Sequence, residues 1–180
     1  MGTIIIVAMD YKVLIPRWEI EKAVRRLAAE INKEYAGKRP LLIGILKGSF
    51  VFLADLIRQL DMPLEVDFVR LSSYGCNKES SGEICMVEGL CPDVKGRDVL
   101  VIEDIIDTGL TINYLLDYLK KQEVASVKLC ALADKPSRRK TPVEIDYLGF
   151  EVPNKFIVGY GIDYNEQFRH LPDICFVEGE

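Results

Sequence analysis

Three stretches of the chain carry apolar residues at the spacing of an amphipathic helix. The first follows Pro16, which suits a first helical turn, and is predicted to span 16–33. The second follows the polar break at 47–49, and the third begins at Ile112. Their apolar faces are, in order, Ile20, Val24, Leu27 and Ile31; Leu53, Leu56, Ile57 and Leu60; and Ile112, Leu115, Leu116 and Leu119.

Short apolar or alternating runs between these helices predict strands. They are 4–9, 41–46, 66–72, 98–103, 127–132, 145–150 and 156–161. The polar segment 73–83, rich in Ser, Gly and Asn, predicts a mobile loop. The alternation of strands and helices predicts an α/β fold: a mostly parallel twisted sheet flanked by helices.

Ligands of such sheets bind beyond the carboxyl ends of the strands. Three predicted strand ends therefore matter: 46–48, 103–104 and 133–135. Each places charged side chains directly after an apolar run, so we expect the functional residues to gather there.

Length, composition and charge limit the number of domains and the kinds of binding partner that this chain can have. The 180 residues predict one domain spanning 1–180, and an apolar fraction of 49% excludes a disordered chain. With 23 basic and 28 acidic residues the net charge is −5, which argues against a nucleic-acid partner. A phosphate-bearing substrate stays compatible, because a divalent cation can bridge two anions.

The apolar runs and the cysteines bear on location. The runs are far shorter than the ~20 residues that cross a bilayer, so no membrane association is expected. The run 4–9 has no basic leader and is followed by Asp10, which favours a strand over a signal peptide. The chain has an odd number of cysteines and no C-x-x-C pair, which indicates reduced thiols in a cytoplasmic protein. The cysteines are Cys76, Cys85, Cys91, Cys130 and Cys175.

The segment 99–111, V-L-V-I-E-D-I-I-D-T-G-L-T, carries the most chemistry. An apolar strand delivers the carboxylates of Glu103 and Asp104, and a short turn leads into a helix. Amides of such a turn and the helix N-terminus bind anions, and Gly109 allows close approach of a ligand. Carboxylates suit sugar hydroxyls or Mg²⁺. The segment therefore predicts a site for a ribose 5-phosphate.

Three other interpretations explain this segment less well. A doubly wound signalling domain also places acids at strand ends, but it has no use for D-T-G-L-T before a helix. A strand ending in acids is also typical of a Walker B motif, but the chain has no G-x-x-x-x-G-K-[ST] loop to accompany it. A simple helix cap by Asp107 or Thr108 accounts for one polar residue and leaves the acid pair unexplained.

The segment 99–111 resembles the phosphoribosyl pyrophosphate signature of the type I phosphoribosyltransferases. The resemblance covers nearly the whole chain. The segment 46–50 is similar to the family's pyrophosphate loop, 72–75 to the start of its catalytic loop, and 134–139 and 156–164 to the purine site of the hypoxanthine-guanine branch. It implies the type I fold, with a small hood formed by the chain termini.

This resemblance implies a purine-salvage enzyme. It would transfer the phosphoribosyl group of phosphoribosyl pyrophosphate to hypoxanthine, and also guanine, giving IMP or GMP and pyrophosphate. Asp107 matches the family's general base near purine N7. The residues implied to bind phosphoribosyl pyrophosphate or nucleotide are Lys47, Gly48, Glu103, Asp104, Ile105, Asp107, Thr108, Gly109, Leu110, Thr111 and Arg169. The peptide between Leu46 and Lys47 can be cis in relatives.

The resemblance also assigns the purine, the metal and the lid. Lys135 would donate to the 6-oxo group, which disfavours adenine; Phe156 would stack on the base, and the backbone of Ile157 would contact its C2 edge. Mg²⁺ is the implied cofactor, held directly or through water by Glu103, Asp104 and Asp163. Ser73 and Tyr74 would contact the ligand from the flexible loop.

Relatives form dimers and tetramers, so a homodimer or homotetramer is expected. Two alternatives stay open at this stage. One is a nucleotide-sensing regulator that kept the fold, which would want a basic face or an added DNA-binding segment. The other is a phosphoribosyltransferase for another base, such as xanthine, whose acceptance depends on geometry around Ile157 and Asp163.

Overall fold

The computed structural model describes residues 10–72, 85–88, 90 and 93–178. Its strands are β1 Tyr11–Ile15, β2 Leu41–Leu46, β3 Glu65–Ser72, β4 Cys85–Glu88, β5 Asp98–Ile106, β6 Ser126–Asp134, β7 Tyr147–Glu151, β8 Ile157–Val158 and β9 Ile174–Val177. Its helices are α1 Arg17–Glu34, α2 Phe50–Ile57 and α3 Leu110–Lys121, with a 3₁₀ turn at Pro136–Arg138.

The main sheet has six strands in the order β4-β3-β2-β5-β6-β7. All neighbouring pairs are parallel except β3 with β4, which is antiparallel at one edge. One apolar cluster packs the sheet against α1 and α2, and a second packs it against α3. The predicted sheet, mostly parallel and flanked by helices, is confirmed.

Burial on both faces explains the composition of the central strands. In β2 the first five residues, from Leu41 to Ile45, are buried. Strands covered by helices on both faces read as continuous apolar runs, because neither face meets water. The sequence signal for β2 was therefore unambiguous, and its predicted bounds of 41–46 are confirmed.

A second, three-stranded sheet has the order β1-β9-β8 and is antiparallel throughout. It joins a strand near the beginning of the described chain to a strand near its end, with Tyr11 opposite Val177. This is the expected hood from the chain termini. It carries the segment from 157 to 173 toward the carboxyl edge of the main sheet.

Several predicted boundaries were wrong. β5 continues past Glu103 to Ile106 because its pairing with β6 continues, with Ile105 opposite Ala133. α3 begins at Leu110 instead of Ile112, since Gly109, in the left-handed conformation, sets its start. α2 ends at Ile57, and Leu60 packs on the core from the following turn.

The strand predicted over 156–161 is reduced to Ile157–Val158. Gly159, Tyr160 and Gly161 all have positive φ, which ends the extended backbone. The strand predicted from 145 begins at 147, and that predicted over 127–132 spans 126–134. The predicted strand 4–9 and loop 73–83 lie outside the described residues. Among the described residues, no helix is both long and apolar enough to cross a bilayer.

Candidate active site

The neighbouring parallel strands β2, β5 and β6 end at the same edge of the sheet. The segments that follow them begin at Lys47, Asp107 and Lys135. The amide of Lys135 donates to the carbonyl of Ile106 at 2.9 Å, which ties the β5 and β6 ends together. The sheet topology thus gathers the three strand ends that the sequence singled out.

Two glycines allow a close approach between three segments at this edge. A Cβ on Gly48 would overlap the carboxylate of Asp104, and one on Gly161 would overlap the carbonyl of Gly48. Gly161 also has φ +99°, a conformation that side chains disfavour. The peptide between Leu46 and Lys47 is cis, as the resemblance predicted. The loop after β2 therefore lies directly on the Asp104 carboxylate.

Four charged side chains form an ion-pair cluster beside this contact. Lys47 Nζ lies 2.8 Å from Glu166 Oε1, and Arg169 Nη2 lies 2.8 Å from Asp163 Oδ1 and 3.3 Å from Glu166 Oε2. Arg169 Nη1 also donates to the carbonyl of Gly161 at 2.8 Å. The predicted residues Lys47, Asp163 and Arg169 are thus brought together, with Glu166 between the two cations.

The turn between β5 and α3 encloses a small cavity of about 90 Å³. It is lined by Glu103, Ile105, Ile106, Asp107, Thr108, Gly109, Thr111 and Ile112. The backbone amides of the first turn of α3 have no partner within the helix, and the helix dipole favours negative charge at this end. The volume is below the 300–1,000 Å³ typical of whole-ligand pockets, so the cavity suits one small anionic group such as a phosphate.

Gly109 fixes the shape of this turn. It is the N-cap of α3 with φ +84°, and a Cβ there would lie 2.8 Å from the carbonyl oxygen of Thr141. The carbonyl of Thr108 accepts hydrogen bonds from the amides of Lys140 and Thr141, at 2.9 and 3.3 Å. Leu110, the first helical residue, is exposed. The segment 140–141 thus supports the turn from behind.

Glu103 and Asp104 are neighbours near the carboxyl end of β5. Asp104 is 8% exposed, and burial raises its pKa to about 6. Burial, and then the neighbouring Asp104 charge, raise the pKa of Glu103 well above its usual value. Glu103 Oε2 is buried without a hydrogen-bond partner. Both carboxyls are poorly neutralised by the protein alone.

These carboxyls fit Mg²⁺, which wants hard oxygen ligands. The buried unpartnered Oε2 of Glu103 and the desolvated Asp104 are groups that a cation would stabilise. Within the described residues no three His, Cys, Asp or Glu side chains converge as a cage. Mg²⁺ does not require such a cage, because it is commonly held by one or two carboxylates together with substrate phosphates.

Asp107 and Lys135 lie close enough at the ends of β5 and β6 for their charges to interact. Arg138 Nε lies 3.1 Å from Asp107 Oδ1, and Arg139 Nη1 donates to the Asp107 carbonyl at 3.2 Å. Burial lowers the pKa of Lys135, while the nearby Asp107 charge opposes that change. A partly buried ammonium near a carboxylate can bind a heterocycle that both accepts and donates hydrogen bonds.

Two residues at the start of β8, Phe156 just before the strand and Ile157 within it, were predicted to contact the base, and they differ in exposure. Phe156 is 38% exposed, and its ring packs edge to face on Tyr164 with centroids 5.0 Å apart. The side chain of Ile157 is buried in the core, which leaves only its backbone for recognition. Ser73 and Tyr74 lie outside the described residues.

Sequence reasoning missed three side chains at this site. Arg138 lies within the segment 134–139 and Glu166 just beyond the segment 156–164, and neither was given a role. Arg138 pairs with Asp107, and Glu166 pairs with Lys47 and Arg169. Arg139 pairs with the buried Asp134. Charged residues in loops have no periodicity, so the available signal was their position inside or next to these two segments.

Residues 16–165, most of the chain, match the family model of the phosphoribosyl transferase domain. This chain belongs to the phosphoribosyltransferase family. A hypoxanthine-guanine phosphoribosyltransferase of Bacillus subtilis is 50% identical over 163 residues, covering 91% of each chain. The bifunctional protein TilS/HprT of Listeria monocytogenes is 49% identical over 169 residues, which are 94% of this chain and 26% of the longer protein. This phosphoribosyltransferase thus spans about a quarter of that relative's length.

Solved structures agree with the assignment. A hypoxanthine-guanine phosphoribosyltransferase of Bacillus anthracis superposes with a TM-score of 0.87 at 38% identity, covering 95% of this chain and 99% of the other. The family's type I fold is therefore shared by this phosphoribosyltransferase along almost its whole length.

Proposed function

We propose that this phosphoribosyltransferase acts in purine salvage, joining hypoxanthine, and also guanine, to the ribosyl group of phosphoribosyl pyrophosphate. The products are IMP or GMP and pyrophosphate. In the reaction the bond from C1 of the ribose to the pyrophosphate oxygen breaks, and a bond from C1 to N9 of the purine forms. The proton leaving the purine ring needs an acceptor, and the departing pyrophosphate needs positive charge.

The observation that carries the proposal is the arrangement around the β5–α3 turn. Glu103 lines an anion-sized cavity at the start of α3, and Asp107 in the same turn is close enough to Lys135 for their charges to interact. A phosphate, a ribose and a 6-oxopurine are joined in that order in the product. The site offers partners in a matching order: amides, carboxylates, then an ammonium with a carboxylate.

The turn residues would bind the 5-phosphate. The backbone amides of Thr108, Gly109, Leu110 and Thr111 and the two threonine hydroxyls supply donors, and no basic side chain is needed because the helix N-terminus is itself positive. Ile105 lines the same cavity and would pack on the sugar and base edge. Glu103 and Asp104 would accept from the ribose hydroxyls.

Mg²⁺ is the cofactor we propose, held by Glu103, Asp104 and Asp163 directly or through water. When bound, it would neutralise charge on the pyrophosphate oxygens and so favour their departure. The chain's own contribution is to place desolvated carboxyls beside the pyrophosphate loop, where Gly48 lies on Asp104.

The pyrophosphate would be bound by Lys47, Gly48 and Arg169. The planar guanidinium of Arg169 can donate two parallel hydrogen bonds, which suits adjacent phosphate oxygens. Its position is fixed by Asp163 and the Gly161 carbonyl. Lys47 is exposed at the mouth of the site and adds a movable charge.

Asp107 is the proposed general base. Its carboxylate would accept the proton at purine N7 while Lys135 donates to the 6-oxo group. Adenine carries a donor at that position, so Lys135 would be left unpaired, at a cost. Phe156 would stack on the ring, the Ile157 backbone would contact its C2 edge, and Ser73 and Tyr74 would close over the pyrophosphate.

The remaining proposals concern the molecule as a whole. Residues 1–180 would act as one phosphoribosyltransferase domain, in a homodimer or homotetramer, with no nucleic-acid or membrane partner. A cytoplasmic location is supported by Cys130 and Cys175, which are buried free thiols.

A substrate panel tests the function. Nucleotide formation from phosphoribosyl pyrophosphate would be measured with hypoxanthine, guanine, xanthine and adenine, with MgCl₂ and with EDTA. We expect rapid Mg²⁺-dependent turnover of hypoxanthine and guanine and very slow turnover of adenine. Absence of turnover with both 6-oxopurines, or equal rates with adenine, would overturn the proposal.

A further inference from the structure

Glu166 lies at the tip of a tight turn in which Tyr164 and Gln167 exchange backbone hydrogen bonds of 3.2 and 2.9 Å. Both central residues of the turn, Asn165 and Glu166, have positive φ, at 48° and 62°. Asparagine tolerates this conformation well, but glutamate has no such preference. The amide of Glu166 donates to Asp163 Oδ2 at 2.8 Å, which helps to hold the turn in place.

This turn aims the Glu166 carboxylate at two cations. One oxygen lies 2.8 Å from Lys47 Nζ and the other 3.3 Å from Arg169 Nη2. Along the chain, Lys47 is 119 residues from Glu166, whereas Arg169 is three residues from it. The carboxylate thus bridges the loop after β2 and the segment after β8, in the manner of an anionic ligand.

The two partners of Glu166 are the cations assigned above to the leaving pyrophosphate. A pyrophosphate held by Lys47 and Arg169 would need the donors that the Glu166 carboxylate now occupies. Glu166 itself is 63% exposed, so it can leave for water at low cost. The Nε of Arg169 is buried without a partner, so this guanidinium has donor capacity that Glu166 does not use.

The charges around Glu166 also indicate that it competes with an anionic ligand. The cluster contains two cations, Lys47 and Arg169, and the acids Asp163 and Glu166, with Asp104 close enough to interact with Arg169 and Asp163. Removing the charge of Glu166 would leave the cations facing one acid fewer. Their attraction for a polyanion would increase accordingly.

We propose that Glu166 is an internal stand-in for pyrophosphate: its carboxylate holds Lys47 and Arg169 in position in the ligand-free enzyme, competes with pyrophosphate for them, and assists its release. The inference rests on the proposed function, because it takes Lys47 and Arg169 to bind pyrophosphate. Glu166 is a positioning residue that acts through these two side chains.

The test is binding of inorganic pyrophosphate with MgCl₂, measured by titration calorimetry for the wild type, Glu166→Gln and Glu166→Ala. An exposed ion pair contributes only a small free energy, and the variants lose the pairs that compete with pyrophosphate. We therefore expect the dissociation constant for pyrophosphate to fall about two- to tenfold in both variants. Release of product should become slower, so kcat should fall or stay level while the KM for phosphoribosyl pyrophosphate falls. The KM for hypoxanthine should stay unchanged.

Glu30→Gln is the matched control. It removes one exposed glutamate and its pair with Arg26 on α1, with the same change in net charge. Its pyrophosphate affinity should equal that of the wild type. Because structural damage weakens binding, tighter binding in the Glu166 variants alone cannot come from misfolding.

The outcomes separate the two proposals. Unchanged or weaker pyrophosphate binding in both Glu166 variants, with a wild type that binds and turns over normally, would overturn the role of Glu166 and leave the enzyme assignment intact. A wild type that binds no pyrophosphate and forms no nucleotide would overturn the proposed function first. Equal tightening in Glu30→Gln would attribute the effect to net charge and also refute the role of Glu166.

Discussion

Gly48 and Asp104 are in direct contact, and the carboxylate of Asp104 occupies the space that a side chain at 48 would fill. The contact joins the loop after β2 to the strand β5. It places a buried acid under the backbone proposed to bind pyrophosphate. The contact therefore requires a residue without a side chain at 48.

Gly48→Ala should displace the Asp104 carboxylate or the loop. Overpacking of this kind costs about 1–3 kcal/mol, and a shift of about 1 Å at a reacting site costs ~10²-fold in rate. We expect kcat/KM for phosphoribosyl pyrophosphate to fall by about 10²-fold or more in steady-state assays. Gly96→Ala is the control: Gly96 has φ +69° and open space around it, so stability should fall slightly while activity stays. Full activity in Gly48→Ala would contradict the contact.

The buried Asp104 should make the metal-free protein less stable as pH rises. Its pKa in the folded protein, about 6, lies above the ordinary aspartate pKa of 3.8, so the folded state binds more protons between these two pH values. The stability is fully present below about pH 4 and is lost as pH rises through about 6. This difference between the pKa of Asp104 in the folded and unfolded protein corresponds to about 3 kcal/mol.

Asp104→Asn tests this pH dependence, because the amide carries no charge. In urea denaturation with EDTA, the variant should gain stability relative to the wild type between pH 4 and pH 7, by up to about 3 kcal/mol. The exposed variant Asp61→Asn should follow the wild type. Parallel curves for Asp104→Asn and the wild type would show that Asp104 is not desolvated as the structure indicates.

The sequence predicted the main sheet well and the hood only through family resemblance. Strands buried on both faces, such as β2, are continuous apolar runs and cannot be mistaken for surface segments. β1 and β9 are short and were not predicted from pattern. The end of β5 was misplaced because Glu103 and Asp104 were taken to stop the strand, whereas pairing with β6 extends it to Ile106.

The candidate site could be proposed from the sequence where a motif combined a strand end with a turn, and less so elsewhere. The turn 107–111 was singled out from its residues alone. The roles of Arg138 and Glu166 depend on long-range loop contacts, with Asp107 in one case and Lys47 in the other. No spacing in a single sequence encodes such contacts, so only the structure reveals them.

Asp107→Asn should remove the proton acceptor while preserving the shape of the site. General-base catalysis contributes about 10²–10⁴-fold, so kcat for nucleotide formation should fall by that factor with little change in either KM. Asp117→Asn, an exposed carboxylate on α3, is the control and should retain wild-type rates. Wild-type turnover by Asp107→Asn would remove its assignment as the base.

Lys135→Gln should weaken the preference for 6-oxopurines. A hydrogen bond from a charged donor is worth about 1.5–3 kcal/mol, so kcat/KM for hypoxanthine should fall by about 10–100-fold. The rate with adenine should not fall in parallel, because adenine makes no such contact. The exposed neighbour Lys140→Gln serves as the comparison and should keep both rates. An equal loss with the two bases would argue against a role in base selection.

The most direct test of the whole account is a crystal structure of this chain with IMP bound. The account predicts the phosphate in the cavity of the β5–α3 turn, bonded to the amides between Thr108 and Thr111, with the ribose beside Glu103 and the 6-oxo group on Lys135. A nucleotide bound elsewhere, with that cavity empty, would contradict it.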